Sequence, residues 1–126
     1  MEDIASIFVL LFLALTFLQS GYDKLFHWKD NLAWLEGHFS QTFIKNHVPM
    51  ALMSILVLEI VSGILSLASV FQIVFHDDTI LGIYAGSFSA FTLLMLLFGQ
   101  RIAKDYDGAR TIVIYFIPTI MLLYWL

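Results

Sequence analysis

The stretch VPMALMSILVLEIVSGILSLASVFQIVF, residues 48–75, decides the fold, because these 28 residues carry a single formal charge, that of Glu59. About 20 consecutive apolar residues suffice for a helix to cross the ~30 Å hydrocarbon core of a bilayer. Three more apolar stretches occur, at about residues 4–26, 79–100 and 108–126. The sequence therefore predicts four transmembrane helices.

The composition agrees with a protein that lives in a membrane. The chain has 126 residues, of which 60% are hydrophobic and 13% charged, and its mean hydropathy is +0.88. A typical soluble domain has about 25% charged residues. We therefore expect one all-α domain over residues 1–126, a four-helix transmembrane bundle in contact with the lipid bilayer. The absence of cysteine excludes disulfide and thiol chemistry.

The basic residues are distributed on one side of the predicted bundle. All six flank the first and third loops: Lys24, Lys29, Lys45, Arg101, Lys104 and Arg110. The positive-inside rule therefore predicts that these loops are cytoplasmic and that both termini lie on the outer side of the cell membrane. The N-terminus opens with Glu2 and Asp3 rather than with basic residues, so we expect a retained first helix and not a signal peptide.

The first loop contains a short amphipathic segment at about residues 29–43. Apolar residues recur there at spacings of three and four, which is typical of one helical face: Trp28, Leu32, Leu35, Phe39 and Phe43. We predict a short interfacial helix between the first and second spans. The pattern fits two locations equally, a helix on the lipid interface and a helix that caps the bundle.

Small residues mark the faces on which the spans pack. The second span carries Ser62, Gly63, Ser66 and Ser69 at helical spacing, and the third carries Gly82, Gly86 and Ala90. Such rows let helices approach closely in lipid. Because only three residues separate these two spans, they are expected to be antiparallel neighbours, with Asp77 or Asp78 capping the third span.

Glu59 lies ten residues after Pro49, about 15 Å along a helix. A charge at this depth should face protein and find partners. The other strongly polar residues near its depth predict one cluster at the cytoplasmic end: Gln19, Ser20, Asp23, Lys24, Glu59, Gln100 and Arg101. We expect Lys24 and Arg101 to hold Glu59, with help from Gln19 or Gln100. The cluster has two interpretations, a structural ion-pair network and a ligand or proton site.

Three segments of the chain resemble the DoxX family of small four-helix membrane proteins. They are FLQSGYDKLFHW at residues 17–28, LEIVSGILSL at residues 58–67 and FGQRIAKDYDGAR at residues 98–110. The resemblance points to a set of residues that overlaps the polar cluster: Ser20, Gly21, Lys24, Glu59, Gly63 and Arg101. It implies an accessory subunit of a membrane redox complex linked to quinone, such as a respiratory or quinone oxidoreductase complex.

Other functions remain open at this stage. One is a structural or assembly subunit of a larger membrane complex. Another is a small transporter or proton path, which the scarcity of polar residues in the outer half disfavours. A bound quinone is compatible with the sequence. The aromatic walls of its binding site would be Tyr22, Phe26 and Trp28. We expect no independent enzyme activity.

The histidines argue against haem and metal. A bis-His haem needs two histidines that face each other inside the bundle, but His27, His38, His47 and His76 all lie at or beside loops. His38 and His47 have no helical ligand partner for zinc at i+3 or i+4. The sequence also has no phosphate-binding loop and no basic stripe for nucleic acid.

Overall fold

The protein is a bundle of four long helices with one short helix at its edge. The computed structural model describes residues 4–42 and 45–126. Helix bounds are α1 Ile4–Phe26, α2 Trp28–His38, α3 Val48–His76, α4 Ile80–Ile102 and α5 Tyr106–Trp125, with a 3-10 turn at Lys45–His47 before α3. The long helices α1, α3, α4 and α5 are each apolar and long enough to cross a membrane. The prediction of an all-α four-helix bundle is confirmed.

The neighbours in the bundle follow the order of the chain. Helix α3 packs against both α1 and α4, and α4 also packs against α5. The ends of α1 and α4 and the starts of α3 and α5 meet at one end of the bundle, which we call the basic end because the Lys and Arg residues flank it. The opposite end holds the short α3–α4 turn, where Asp78 Oδ1 accepts from the Ile80 N–H at 3.1 Å.

The core is small and apolar, as expected where much of the surface faces lipid. Its members come from all four long helices: Leu10, Leu13, Phe17, Ile73, Ala85, Leu93 and Leu122. Large apolar side chains such as Phe8, Phe75 and Ile114 are instead more than half exposed. Packing and not hydrophobic exclusion from water must hold such helices together.

Glycines set the distance between α1 and α3. A Cβ atom at Gly63 would lie 2.7 Å from Leu18 Cγ, and one at Gly21 would lie 2.9 Å from Ile60 Cγ1. Each glycine therefore receives a large side chain from the facing helix. The predicted small-residue face of α3 is buried, including Ser62, Ser66 and Ser69.

Helix α2 is shorter than the predicted segment 29–43. It ends at His38, and residues 39–42 form turns in which Thr42 Oγ1 donates to the Phe39 carbonyl at 2.8 Å. Phe43 lies outside the described residues. The other residues of the predicted apolar face are half-buried: Trp28, Leu32, Leu35 and Phe39. No residue of α2 is fully buried.

We predict that Gly63→Ala destabilises the bundle by about 1–3 kcal/mol, the usual cost of overpacking. Relief by movement of Leu18 is limited, because its backbone nitrogen lies 3.2 Å from the added Cβ. Thermal unfolding in mild detergent measures the change. The matched control is Gly37→Ala, whose Cβ would have no neighbour within 4 Å among residues 4–42 and 45–126 and which should leave stability equal or slightly higher. Equal melting temperatures for Gly63→Ala and the parent would contradict the packing argument.

Candidate functional site

Glu59 is enclosed by protein in spite of its charge. Its exposure is 1%, and it lies on the α3 face that also buries Leu56, Ser62 and Gly63. The close α1–α3 contact brings the last turns of α1 beside it. A carboxylate in this setting needs a cation or hydrogen-bond donors to offset its desolvation.

Lys24 supplies the cation. Its Nζ lies 2.8 Å from Glu59 Oε1 and also donates to Ser20 Oγ at 2.6 Å. The Glu59 side chain is 2% exposed and that of Lys24 18%. Within the described part of the chain, Glu59 Oε1 has no well-aligned hydrogen bond, so the contact with Lys24 is an ion pair held by charge and distance more than by bond direction. Ser20, Lys24 and Glu59 together form the site that we call the ion-pair triad.

Buried hydroxyl groups continue from the triad along α3. Ser62 Oγ and Thr92 Oγ1 lie 3.1 Å apart and link α3 to α4. Ser66 donates to the Ser62 carbonyl at 2.7 Å. The hydroxyls of Ser69 and Ser89 are buried and have no hydrogen-bond partner among the described residues. These contacts place the polar groups of the α3 face inside the bundle, where they help to fix its register.

A second polar group forms around His38 at the basic end. His38 Nε2 lies 3.3 Å from Gln100 Oε1 and 3.8 Å from Asp105 Oδ2. Asp105 also caps α5 by accepting from the Gly108 N–H at 3.0 Å. The His38 ring stacks on Trp34, with ring centroids 4.5 Å apart. His38 thus connects α2 to the α4–α5 turn.

The remaining predicted residues lie away from the triad. Gln19 and Asp23 are exposed and line a shallow depression with Leu18 and Tyr22. Arg101 is exposed, and its guanidinium lies 5.6 Å from the centre of the Tyr106 ring.

The predicted cluster of seven residues therefore separates into distinct groups. The expectation that Lys24 pairs with Glu59 agrees with the structure. The expected contributions of Arg101, Gln19 and Gln100 do not, since within residues 4–42 and 45–126 Glu59 has an ion-pair contact only with Lys24. The position of a residue along its span gives its depth in the bundle. It does not give the rotation of the helix about its own axis, which explains this difference.

A cavity of about 480 Å³ lies between α2, α3 and α4 at the basic end. Apolar side chains form most of its wall, including Leu52, Ile55 and Leu96, and Lys24 of the triad also lines it. Other polar groups on its wall are Asn31, His38, His47, Ser54 and Gln100. Its aromatic residues are Trp34, Phe39 and Phe98, whereas the expected Tyr22, Phe26 and Trp28 do not line it.

Sequence reasoning did not find this cavity. One of its walls is built by α2, whose position over α3 and α4 depends on the course of the first loop. The one available signal was the three- and four-residue spacing of apolar residues in the first loop. A helix that caps the bundle was one of its two interpretations. Among the described residues, no group of three His, Asp or Glu side chains is close enough to hold a metal ion.

Comparison of the chain with protein-family models, curated proteins and solved structures gives no match. The resemblance to the DoxX family therefore rests on the three quoted segments.

We predict that Lys24→Met destabilises the protein by about 3–5 kcal/mol, because it leaves Glu59 buried without a cation. Adding Glu59→Gln to Lys24→Met should recover most of this loss, since the buried charge is then gone. Thermal unfolding in detergent compares the parent, both single variants and the double variant.

The control is an ion pair on the surface. Asp107→Asn removes the Asp107–Arg110 pair, whose side chains are 90% and 72% exposed, and should change stability by less than about 1 kcal/mol. Equal losses for Lys24→Met and the double variant would show that the ion pair itself does not stabilise the fold.

Proposed function

We propose that the chain is an accessory subunit of a membrane redox complex linked to quinone, with no independent enzyme activity. One observation carries this proposal: the ion-pair triad and the apolar cavity share Lys24 at the same end of the bundle. An apolar cavity with a small number of polar groups is the usual form of a site for an amphiphilic ligand. The resemblance of residues 17–28, 58–67 and 98–110 to the DoxX family supports the link to redox partners.

Glu59 has a defined role in this proposal. It balances the charge of Lys24, so that an ammonium group can stand beside an apolar cavity within the span of the bilayer. Ser20 orients the same ammonium through its hydroxyl. The triad thus positions a donor for a ligand or for the surface of a partner subunit, which would be another integral membrane protein.

A structural or assembly subunit is the second candidate, and the enclosure of Glu59 favours it. A buried ion pair between α1 and α3 can serve folding specificity alone. In that case the triad would hold two helices together and the cavity would be filled by lipid tails.

A transporter or proton path has less support. The amide of Gln72, in the outer half of α3, is engaged at the start of α4, where its Oε1 accepts from the Leu81 N–H at 3.0 Å. The Tyr84 side chain is 56% exposed on the outside of the bundle. Between Glu59 and Gln72 the buried polar side chains of α3 are the hydroxyls of Ser62, Ser66 and Ser69, none of which is an ionisable group.

The first experiment is purification of the tagged native protein in a gentle detergent, followed by mass spectrometry and extraction of bound quinone. We expect co-purification with a quinone-using oxidoreductase and normal recovery of the Glu59→Gln variant, with lower quinone turnover in the complex. Glu36→Gln, an exposed carboxylate on α2, is the matched control and should leave turnover unchanged. A protein recovered alone, without quinone, would overturn the redox proposal. Unchanged turnover in Glu59→Gln would favour the structural candidate.

We also propose that the basic end faces the cytoplasm of a cell membrane and that both termini lie outside, as the positive-inside rule indicates. The chain has no cysteine, so single cysteines report specifically. A membrane-impermeant maleimide added to intact cells should label His76→Cys in the α3–α4 turn and not Ser40→Cys in the first loop. Both should react after lysis, and the reverse pattern in intact cells would show the opposite orientation.

A further inference from the structure

We infer that the cavity between α2, α3 and α4 is a binding site for a neutral amphiphile whose flat head group carries carbonyl oxygens, and that Lys24 donates a hydrogen bond to this head. The class includes quinones. The inference deepens the proposed function by naming the site and the ligand chemistry. The biological role of the ligand rests on the proposed function, whereas the location of the site does not.

The polar groups on the wall select the head group. Within the described part of the chain, the lining contains one ammonium, two imidazoles, two amides and one hydroxyl, and no carboxylate. Asn31 and Ser54 already donate to backbone carbonyls, whereas the Lys24 ammonium has three hydrogens and can only donate, so it can serve a ligand that accepts. An amphiphile with a cationic head would meet Lys24 without a facing acid on the cavity wall.

The net charge of the site favours a neutral acceptor over an anion. Glu59 lies directly behind Lys24, with 2.8 Å between Nζ and Oε1. An anionic phosphate drawn to Lys24 would therefore also approach the Glu59 carboxylate. A carbonyl oxygen can accept from the ammonium without bringing a second negative charge into this low-dielectric region.

The shape of the wall fits a flat head. Trp34 and His38 stack with an interplanar angle of 17° and both line the cavity. The stack covers one face of each ring, and the other face of either ring can carry a planar ligand. The volume of about 480 Å³ is within the ~300–1,000 Å³ range of small-ligand pockets, which is enough for a ring and the first carbons of a tail.

The tail has a way out toward lipid. Met50, Met95 and Phe98 line the cavity and are 70%, 42% and 58% exposed. They belong to α3 and α4, whose outer surfaces face the hydrocarbon. A ligand can therefore enter sideways from the bilayer, while Val48 and Leu52, each 2% exposed, close the inner wall.

Tryptophan fluorescence tests this inference with the isolated protein in phosphatidylcholine vesicles, using decylubiquinone as probe and quencher. Trp34 becomes the single reporter when Trp28 and Trp125 are changed to Phe, and Trp125 is the control reporter at the opposite end. We expect saturable quenching of Trp34 and only linear, collisional quenching of Trp125. Linear quenching of both would overturn the site.

Two substitutions locate the ligand within the cavity. Leu96→Phe fills space on the cavity wall, whereas Leu97→Phe adds the same group at a half-buried neighbour that does not line the cavity. We expect about tenfold weaker binding for Leu96→Phe and no change for Leu97→Phe. Equal affinities for the two variants would place the quinone elsewhere.

The contact with Lys24 is tested in the double variant Lys24→Met with Glu59→Gln, which removes the ammonium without leaving a buried charge. Loss of a charge-assisted hydrogen bond should weaken binding by about tenfold or more. Unchanged affinity in this variant would overturn the role of Lys24.

The last test varies the lipid composition of the vesicles. If phosphatidylglycerol in the vesicles abolishes saturable quenching, the occupant is an anionic phospholipid and the neutral head group is wrong. These outcomes are independent of the pull-down, because no partner complex is present. A bound quinone without a partner would support the site and count against the accessory subunit.

Discussion

The ion pair between Lys24 and Glu59 is the constraint on which the rest of the bundle depends. A buried carboxylate in the span of a membrane protein is costly unless a cation reaches it. To bring Lys24 Nζ within 2.8 Å of Glu59, α1 and α3 must lie close together, and Gly21 and Gly63 make that approach sterically feasible. Sequence, packing and electrostatics thus agree at one contact, and agreement of this kind favours a single native arrangement.

The same contact organises the basic end. Lys24 lies at the boundary between the closed α1–α3 interface and the cavity under α2. Its ammonium group contacts the Glu59 carboxylate on the side of the interface and can donate to a ligand on the side of the cavity. A group placed in this way can serve folding and ligand binding together, so the two roles considered for the triad do not exclude each other. The hydroxyls of Ser62 and Thr92 extend the polar contact from α3 to α4.

The spans could be predicted from the sequence because a bilayer imposes length and hydropathy on each helix directly. The Lys24–Glu59 pair was also within reach, since both residues lie at similar depth on neighbouring helices. Arg101 and Gln100 were not, because their direction depends on how α4 rotates, and this rotation follows from contacts such as Gly86 with Leu123. The cavity was beyond sequence reasoning, as it depends on where the first loop places α2.

The position of α2 has a consequence for local stability. Helix α2 has no fully buried residue, and its side chains are anchored mainly at its two ends. Asn31 donates to the Asp23 and His27 carbonyls, and His38 contacts Gln100. Segments with few buried contacts open at free energies far below that of global unfolding. The backbone amides of α2 should therefore exchange with solvent well before those of the four long helices, which makes this short helix the separately opening unit of the fold.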